Sequence, residues 1–168
     1  MANFNSQFSL EIEHITSAEA AWITADLEAE YPEGLDPTAH AEFCAGRGLE
    51  SLTSDWPDFG WGLQEDETGL VTLELYADEC FNLDHLVSFV QRFLKQFRPT
   101  EVVQVTWADT CTDLLPGAFG GGWAVISAAE MRCDTTADAA DRAAKLLVQV
   151  PGPVIAAVVE AVQLDREA

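Results

Sequence analysis

Residues 82–99, NLDHLVSFVQRFLKQFRP, carry the clearest structural pattern in this chain. Their apolar side chains recur at intervals of three and four residues, which places them on one face of an α-helix. Asn82 precedes the apolar run and suits a helix N-cap, and Pro99 follows it where a helix must end. The stretch therefore predicts an amphipathic helix from Leu83 to Phe97.

Patterns typical of strands and of further helices flank this helix on both sides. Alternation of apolar and polar residues predicts strands, and cap residues before apolar periodicity predict helices. Asp66 to Gly69, between two apolar runs, predicts a hairpin turn. In chain order we expect a strand at 8–13, helices at about 18–30 and 37–45, strands at 59–65 and 70–77, the helix at 83–97, strands at 101–109 and 123–129, and helices at about 135–149 and 154–164.

The order of these elements contains the series βαββαβ. That series predicts an α+β domain of the ferredoxin-like (split βαβ) type, an antiparallel sheet with helices on one face. An extra strand and C-terminal helices extend it. The length of 168 residues fits one acidic α+β domain spanning 1–168.

The charge is strongly acidic and unevenly distributed. There are 29 Asp and Glu against 8 Lys and Arg, and between Met1 and Gln91 the only basic residue is Arg47. Phosphate binding needs a basic surface, so DNA, RNA and anionic lipid are excluded as direct partners. Adaptation to a salt-rich cytoplasm is an alternative source of acidity, but it should acidify the second half of the chain equally.

The amino-acid sequence shows neither a membrane-spanning segment nor a secretory signal. The longest uncharged stretch, 114–129, falls short of the ~18–20 apolar residues of a membrane helix, and Pro and Gly interrupt it. The first ten residues contain no Lys or Arg of a secretory signal. Four cysteines without paired spacing are expected to be reduced, mostly buried thiols: Cys44, Cys80, Cys111 and Cys133. We therefore expect a cytoplasmic protein.

The first predicted helix carries an acidic stripe. At 100° per residue, Glu19, Asp26 and Glu30 fall close together on one side, with Trp22 beside them. Carboxylates at such intervals can imitate DNA phosphates towards a DNA-binding protein, and Trp22 would supply an apolar anchor. The alternative is a solvated polar face with Trp22 packed on the sheet. Further acidic residues surround the stripe, among them Glu28, Glu33 and Asp36.

The predicted hairpin tip is a second acidic feature. Glu65, Asp66 and Glu67 would project into solvent as a triple negative point and could contact a basic groove. Charged hairpin tips also serve solubility alone, and that alternative is the more common one. The spaced Asp pattern of a calcium loop is absent.

Catalytic and metal motifs are weak throughout. His40 and Cys44 have a spacing that one zinc ion could bridge, but no second pair of ligands lies near them in the sequence. His14 is expected at a strand end and His85 on the polar side of its helix, both without a catalytic role. Residues 119–123, FGGGW, lack phosphate-loop spacing and predict a flexible connection between strands. We expect no metal, no cofactor and no enzymatic activity.

Arg92, Lys95 and Arg98 form a basic ridge that is expected on the solvated side of the main helix. Solvated charges balancing the acidic half are the simplest interpretation of this ridge. Self-association is a second one, with the ridge of one copy meeting the acidic half of another, so a homodimer is among the candidate assemblies.

From Glu11 to Asp84 the chain resembles, as a class, the acidic DNA-mimic proteins of phages and mobile elements. Members of that class block restriction enzymes, CRISPR effector complexes or other DNA-binding host proteins. The resemblance implies a non-enzymatic inhibitor, with anti-CRISPR or antirestriction activity, that occupies the nucleic-acid-binding cleft of a basic host defence protein. If it is phage-encoded, it would act in the host cytoplasm.

The alternative function is a housekeeping interaction domain or small-ligand-binding domain with a salt-tolerant acidic surface. Its pocket would be lined by the sheet and by the aromatic residues Trp61, Trp107 and Trp123.

Overall fold

The computed structural model describes residues 4–29, 37–49, 56–111 and 120–149. Within these ranges the protein is α+β, with six strands and four helices. The elements are β1 (Phe4–Ile12), α1 (Ser17–Leu27), α2 (Pro37–Arg47), β2 (Gly60–Glu65), β3 (Val71–Ala77), α3 (Leu83–Phe97), β4 (Val102–Cys111), β5 (Gly120–Ser127), β6 (Met131–Thr135) and α4 (Thr136–Gln149). The chain divides into two compact units, 1–133 and 134–168.

The strands form one open antiparallel sheet in the order β2-β3-β1-β4-β5-β6. In the central part of the sheet, β1 pairs with β3 on one side, where Leu10 lies opposite Leu75, and with β4 on the other, where Phe8 lies opposite Trp107. These registers place the apolar residues of neighbouring strands side by side on one face. The α+β class predicted from the sequence is confirmed.

The core lies on that inner face of the sheet, against α1 and α3. Alternate residues of the strands point inwards, as the period of two in the sequence predicts. Phe89 and Phe93 of α3 and Ile23 of α1 are fully buried. The buried strand residues are Phe8, Leu10, Ile12, Leu73, Leu75, Val103, Val105, Ala124 and Ile126.

The helix predicted at 83–97 is confirmed with its N-cap. The side chain of Asn82 accepts a hydrogen bond of 2.9 Å from the amide of Asp84. The helix ends at Phe97, with Arg98 as C-cap before Pro99. Of its apolar positions, Leu86, Phe89, Val90, Phe93 and Leu94 are fully buried, whereas Leu83 and Phe97 at its two ends are partly buried. The apolar periodicity of the sequence was therefore a sufficient guide to this helix.

Two strand predictions need correction. β1 begins at Phe4, because residues 4–7 continue the ladder with β4. β6 was not predicted, since MRCDT is short and shows no regular alternation. The helix expected at 154–164 lies outside the described residues.

The prediction of a flexible connection at the glycine run is also wrong, because Gly120 to Gly122 form the beginning of β5. Gly121 pairs with Ala108 of β4 and has φ +148°, a conformation that favours glycine. A Cβ at this position would collide with the carbonyl oxygen of Trp107. The glycine therefore allows the close approach of two paired strands.

The positions of His85 and of the cysteines also differ from the predictions. His85 is 1% exposed, in the first turn of α3 against the ring of Trp56, and not on a polar helix side. As expected, no disulfide joins the cysteines of the described residues, but Cys44 alone is buried, whereas Cys80 and Cys133 are exposed.

Candidate functional site

Glu19 occupies the first turn of α1 and is 4% exposed. It forms a capping box with Thr16, whose amide donates to Glu19 Oε2 at 2.7 Å. The Nε of Arg98 donates to Glu19 Oε1, also at 2.7 Å. Burial would raise the pKa of Glu19, but the hydrogen bonds from Arg98 and Thr16 outweigh it and hold the pKa below its usual range.

Arg98, at the end of α3, forms hydrogen bonds with the turn between β1 and α1. Besides Glu19, its guanidinium donates to the carbonyl oxygens of Glu13 (3.1 Å) and His14 (3.0 Å). It also lies 3.5 Å from a carboxylate oxygen of Glu101. The hydrogen bond to Glu19 is the main cause of the raised pKa of Arg98.

Asp26 is the centre of a second internal network, near the end of α1. Arg92 of α3 donates to both carboxylate oxygens, at 2.6 and 2.8 Å, and Arg47 of α2 lies 3.5 Å away. The backbone oxygen of Asp26 accepts from the indole of Trp56 at 3.1 Å. One carboxylate therefore joins α1, α2 and α3.

Trp22 packs within the protein, against α3. Its ring lies 5.8 Å from both Phe89 and Phe97 and 6.2 Å from Phe93, measured between ring centroids. Arg92 lies over the indole at 5.6 Å. Trp22 is half-buried and contributes to the packing of α1 on α3.

The basic ridge is likewise not a solvated face. Arg92 and Arg98 are largely buried against Asp26 and Glu19 of α1, and only Lys95 of the three is exposed. The reason is that the flanks of α3 meet the carboxylates of α1, which the helical projection of α3 alone cannot show. The ridge of one chain thus meets the acidic residues of that same chain.

The hairpin tip keeps its predicted exposure. Glu65, Asp66 and Glu67 are all exposed, and within the described ranges Glu65 and Glu67 form no ion pair. Asp66 shapes the turn, because its carboxylate accepts from the Thr68 hydroxyl and amide at 2.7 Å and from the Leu70 amide at 3.0 Å. The hydrogen bonds from Thr68 and Leu70 lower the pKa of Asp66.

The other predicted contact residues divide into two groups. Glu28 follows α1 and is exposed. Glu30, Glu33 and Asp36 lie outside the described residues. The structure thus gives Glu19, Trp22 and Asp26 internal partners and leaves Glu28 and the hairpin tip on the surface.

One pair of potential metal ligands lies close together on α2. The Sγ of Cys44 lies 3.9 Å from the ring nitrogens of His40 on α2. Among the described residues no group of three or more His, Cys, Asp or Glu could hold a metal ion.

The three tryptophans of the alternative ligand pocket do not lie together. Trp61 and Trp107 point to the inner face and pack against the core. Trp123 lies on the opposite face of the sheet and is 44% exposed. A pocket lined by all three is therefore not formed.

Comparison with known proteins found no matching family model, curated protein or solved structure. Of the helices described, none is both long and apolar enough to span a membrane. The charges and surfaces of this chain are accordingly the observations that bear on its function.

Proposed function

We propose that this chain is a non-enzymatic inhibitor that binds the nucleic-acid-binding cleft of a basic protein by imitating the charge of DNA. A host defence protein, such as a CRISPR effector complex or a restriction enzyme, is the class of target. The site of action is the cytoplasm.

One observation supports this proposal above the others: three of the four arginines of the N-terminal unit are used internally, and the fourth, Arg132, pairs with Glu130 on the surface. Arg47, Arg92 and Arg98 all contact carboxylates of α1. The exposed carboxylates of the same unit consequently keep their charge largely uncompensated. An uncompensated acidic surface steers association with a basic cleft and disfavours other partners.

The contact residues that fit this function best are the exposed ones. They are Glu28 after α1 and Glu65, Asp66 and Glu67 at the hairpin tip. Glu30, Glu33 and Asp36, which lie outside the described residues, belong to the proposed contact set on the basis of their charge in the sequence. We assign Glu19, Trp22 and Asp26 to the stability of the fold. Glu19 and Asp26 are already neutralised by arginines, so they attract a basic partner only weakly, and Trp22 packs on α3.

We also assign the fold to the ferredoxin-like, split βαβ type. The order β2-β3-β1-β4 with antiparallel neighbours supports this assignment, as do α1 before β2 and α3 before β4. The fold type presents the hairpin tip at one end of the sheet and has no bearing on the choice of target.

The proposed function is tested by affinity capture from nuclease-treated bacterial lysate at ~0.1 M and ~0.5 M salt, where electrostatic screening differs strongly. We expect one nucleic-acid-binding protein or complex at low salt, displaced by duplex DNA. The reversal E65K/E67K should reduce its recovery at least ~10-fold. A matched reversal of two exposed carboxylates outside the proposed contact set, E42K/E130K, should leave recovery within ~2-fold.

Capture of only weak, mixed basic proteins that duplex DNA does not displace would contradict the proposal. A small molecule that raises the melting temperature at low concentration would then favour the ligand-binding alternative.

A further inference from the structure

The outer face of the sheet carries an open depression that the proposed function does not explain. It has a volume of about 660 Å³, and it is lined by Gln7 and by the smaller Ser9 of β1, by Thr106 and Ala108 of β4, and by Asp78, which follows β3. Large side chains at these positions would fill it. The depression is therefore a property of the residue sizes on this face.

Two exposed aromatic residues lie in the same cross-strand row as this depression, one on either side. In the register Tyr76 of β3 lies opposite Ser9, and Trp123 of β5 lies opposite Thr106. With neighbouring strands ~4.8 Å apart, the two aromatic residues are separated by about 14 Å at their Cα atoms. They are 48% and 44% exposed, which is high for such large side chains.

The ring of Tyr76 is turned away from the depression, over β2. A Cβ on Gly60 would lie 2.5 Å from this ring, so only glycine admits it. On the β4 side, Val102 is 58% exposed and extends the apolar surface. Apolar groups of this size on the surface of a charged protein are typical of an interface.

Next to the depression, two carboxylates face each other across neighbouring strands. Glu11 of β1 is the direct register partner of Glu74 of β3, and both lie on the outer face. Neither makes an ion pair within the described part of the chain. Like charges placed directly opposite destabilise a sheet. A cation supplied from outside would remove that repulsion.

We propose that this face is a docking surface, on which the depression receives an arginine side chain of the basic partner protein. The inference rests on the proposed function and names the surface and the residue type involved. A guanidinium can stack flat on an aromatic ring such as that of Trp123 and can donate two parallel hydrogen bonds to one carboxylate, a planar geometry that a compact ammonium group does not offer. The chain already holds Arg92 in this way, between the carboxylate of Asp26 and the ring of Trp22.

The test uses the full chain labelled with ¹⁵N and two defined probes, blocked hexa-arginine and hexa-lysine peptides at ~0.1 M salt. We expect saturable shifts of the Ser9 and Thr106 amides and the Trp123 indole. Arginine should bind at least ~3-fold more tightly than lysine. Equal affinity for both peptides, or shifts confined to residues 65–70, would overturn the proposal.

Two charge-matched double variants separate a specific site from diffuse attraction. E11Q/E74Q should weaken hexa-arginine binding ~10-fold or more, whereas E42Q/E130Q, at two exposed carboxylates that belong to neither proposed contact surface, should change it less than ~2-fold. E11Q/E74Q should also melt ~1–3 °C higher than the parent, because the opposed charges are gone, which shows that the variant is folded. Equal weakening by both variants would overturn the site.

The same variants distinguish failure of the site from failure of the function. If a DNA-displaceable partner is captured and E11Q/E74Q binds it as tightly as the parent does, the docking surface is wrong and the function stands. If peptide binding maps to this face but no such partner is captured, the function fails and the arginine site stands. A concentration-dependent dimer that E11Q/E74Q abolishes would assign the face to a second copy and overturn the proposal.

Discussion

Asp26 is held by two arginines from two different helices. Arg92 approaches it in a bidentate geometry and Arg47 from the other side, over the ring of Phe43 at 3.7 Å. A carboxylate that neutralises two largely buried guanidinium groups is a structural residue, because its removal leaves charges without a partner in a region of low dielectric. Glu19 plays the same part for Arg98.

We predict that Asp26→Asn lowers the free energy of unfolding by about 2–4 kcal/mol, since Arg92 and Arg47 lose their counter-charge while remaining buried. Urea unfolding followed by tryptophan fluorescence measures this change. Glu28→Gln, two residues along the chain and exposed, is the control and should stay within about 0.5 kcal/mol. A stable Asp26→Asn protein that loses partner binding would return Asp26 to the contact surface.

His85 is the second case in which burial decides a residue's role. Among the residues that the structure describes, neither of its ring nitrogens has a hydrogen-bond partner. Burial lowers the pKa of the imidazole, although Asp58 and Asp84 act to raise it. The neutral form is thus the one that the folded state accommodates.

Stability should therefore fall as pH drops below the unfolded pKa of histidine, about 6.5, because the unfolded chain takes up the proton more readily. At pH 7.5 the variant His85→Leu should have a melting temperature at least as high as that of the parent. Between pH 7.5 and 5.5 its melting temperature should fall by less than that of the parent. Thermal melts at both pH values test this. The control is His14→Asn, at an exposed position with φ +58°, whose melting temperature should depend on pH as that of the parent does. If the melting temperature of His85→Leu fell with pH as much as that of the parent, buried His85 would not be the cause of the pH dependence.

At the scale of single elements, short-range chemistry sets the boundaries. The capping box of Thr16 and Glu19 begins α1, and Asn82 begins α3. In β5 the glycines belong to a paired strand, although a run of glycines by itself suggests a flexible loop. They permit pairing with β4, because Gly121 leaves room for the backbone of Trp107 and Ala108.

Two glycine substitutions of the same kind should have opposite effects. Gly121→Ala should destabilise the protein by about 2–3 kcal/mol, because a Cβ is strained at its φ and meets the Trp107 carbonyl. Gly46→Ala in α2, where a Cβ meets nothing within 4 Å, should stabilise it by about 0.5–1 kcal/mol. Chemical denaturation compares the two, and a neutral Gly121→Ala would show that β4 and β5 can move apart.

At the scale of the whole molecule, the distribution of charge matters more than its total of −21. Ion pairs inside the protein remove positive charge from the surface, so exposed carboxylates repel one another through water. Such repulsion costs folding stability, and dissolved salt screens it.

Salt should consequently have opposite effects on folding and on binding. We predict that the melting temperature rises by about 3–8 °C between ~0.05 M and ~0.5 M NaCl, as self-repulsion is screened. Over the same range, affinity for a basic partner should fall. Differential scanning calorimetry and binding titrations measure the two trends. A melting temperature that does not depend on salt would show that the surface charges are compensated.

The sequence alone determined the described helices to within a few residues, and most of the strands, since periodicity, caps and turn residues act over a few positions. Leu83–Phe97 with Asn82, and the hairpin around Asp66, were predictable for that reason. It also determined the excess of acid and the exposure of the hairpin tip.

Only the tertiary structure decided which charged residues are free. Glu19 and Glu28 look alike along the chain, but one faces Arg98, 79 residues away, and the other faces water. The opposition of Glu11 and Glu74 likewise arises from strand pairing across 63 positions. Electrostatic and packing partners are chosen by distance in space, and a pattern along the chain does not contain that distance.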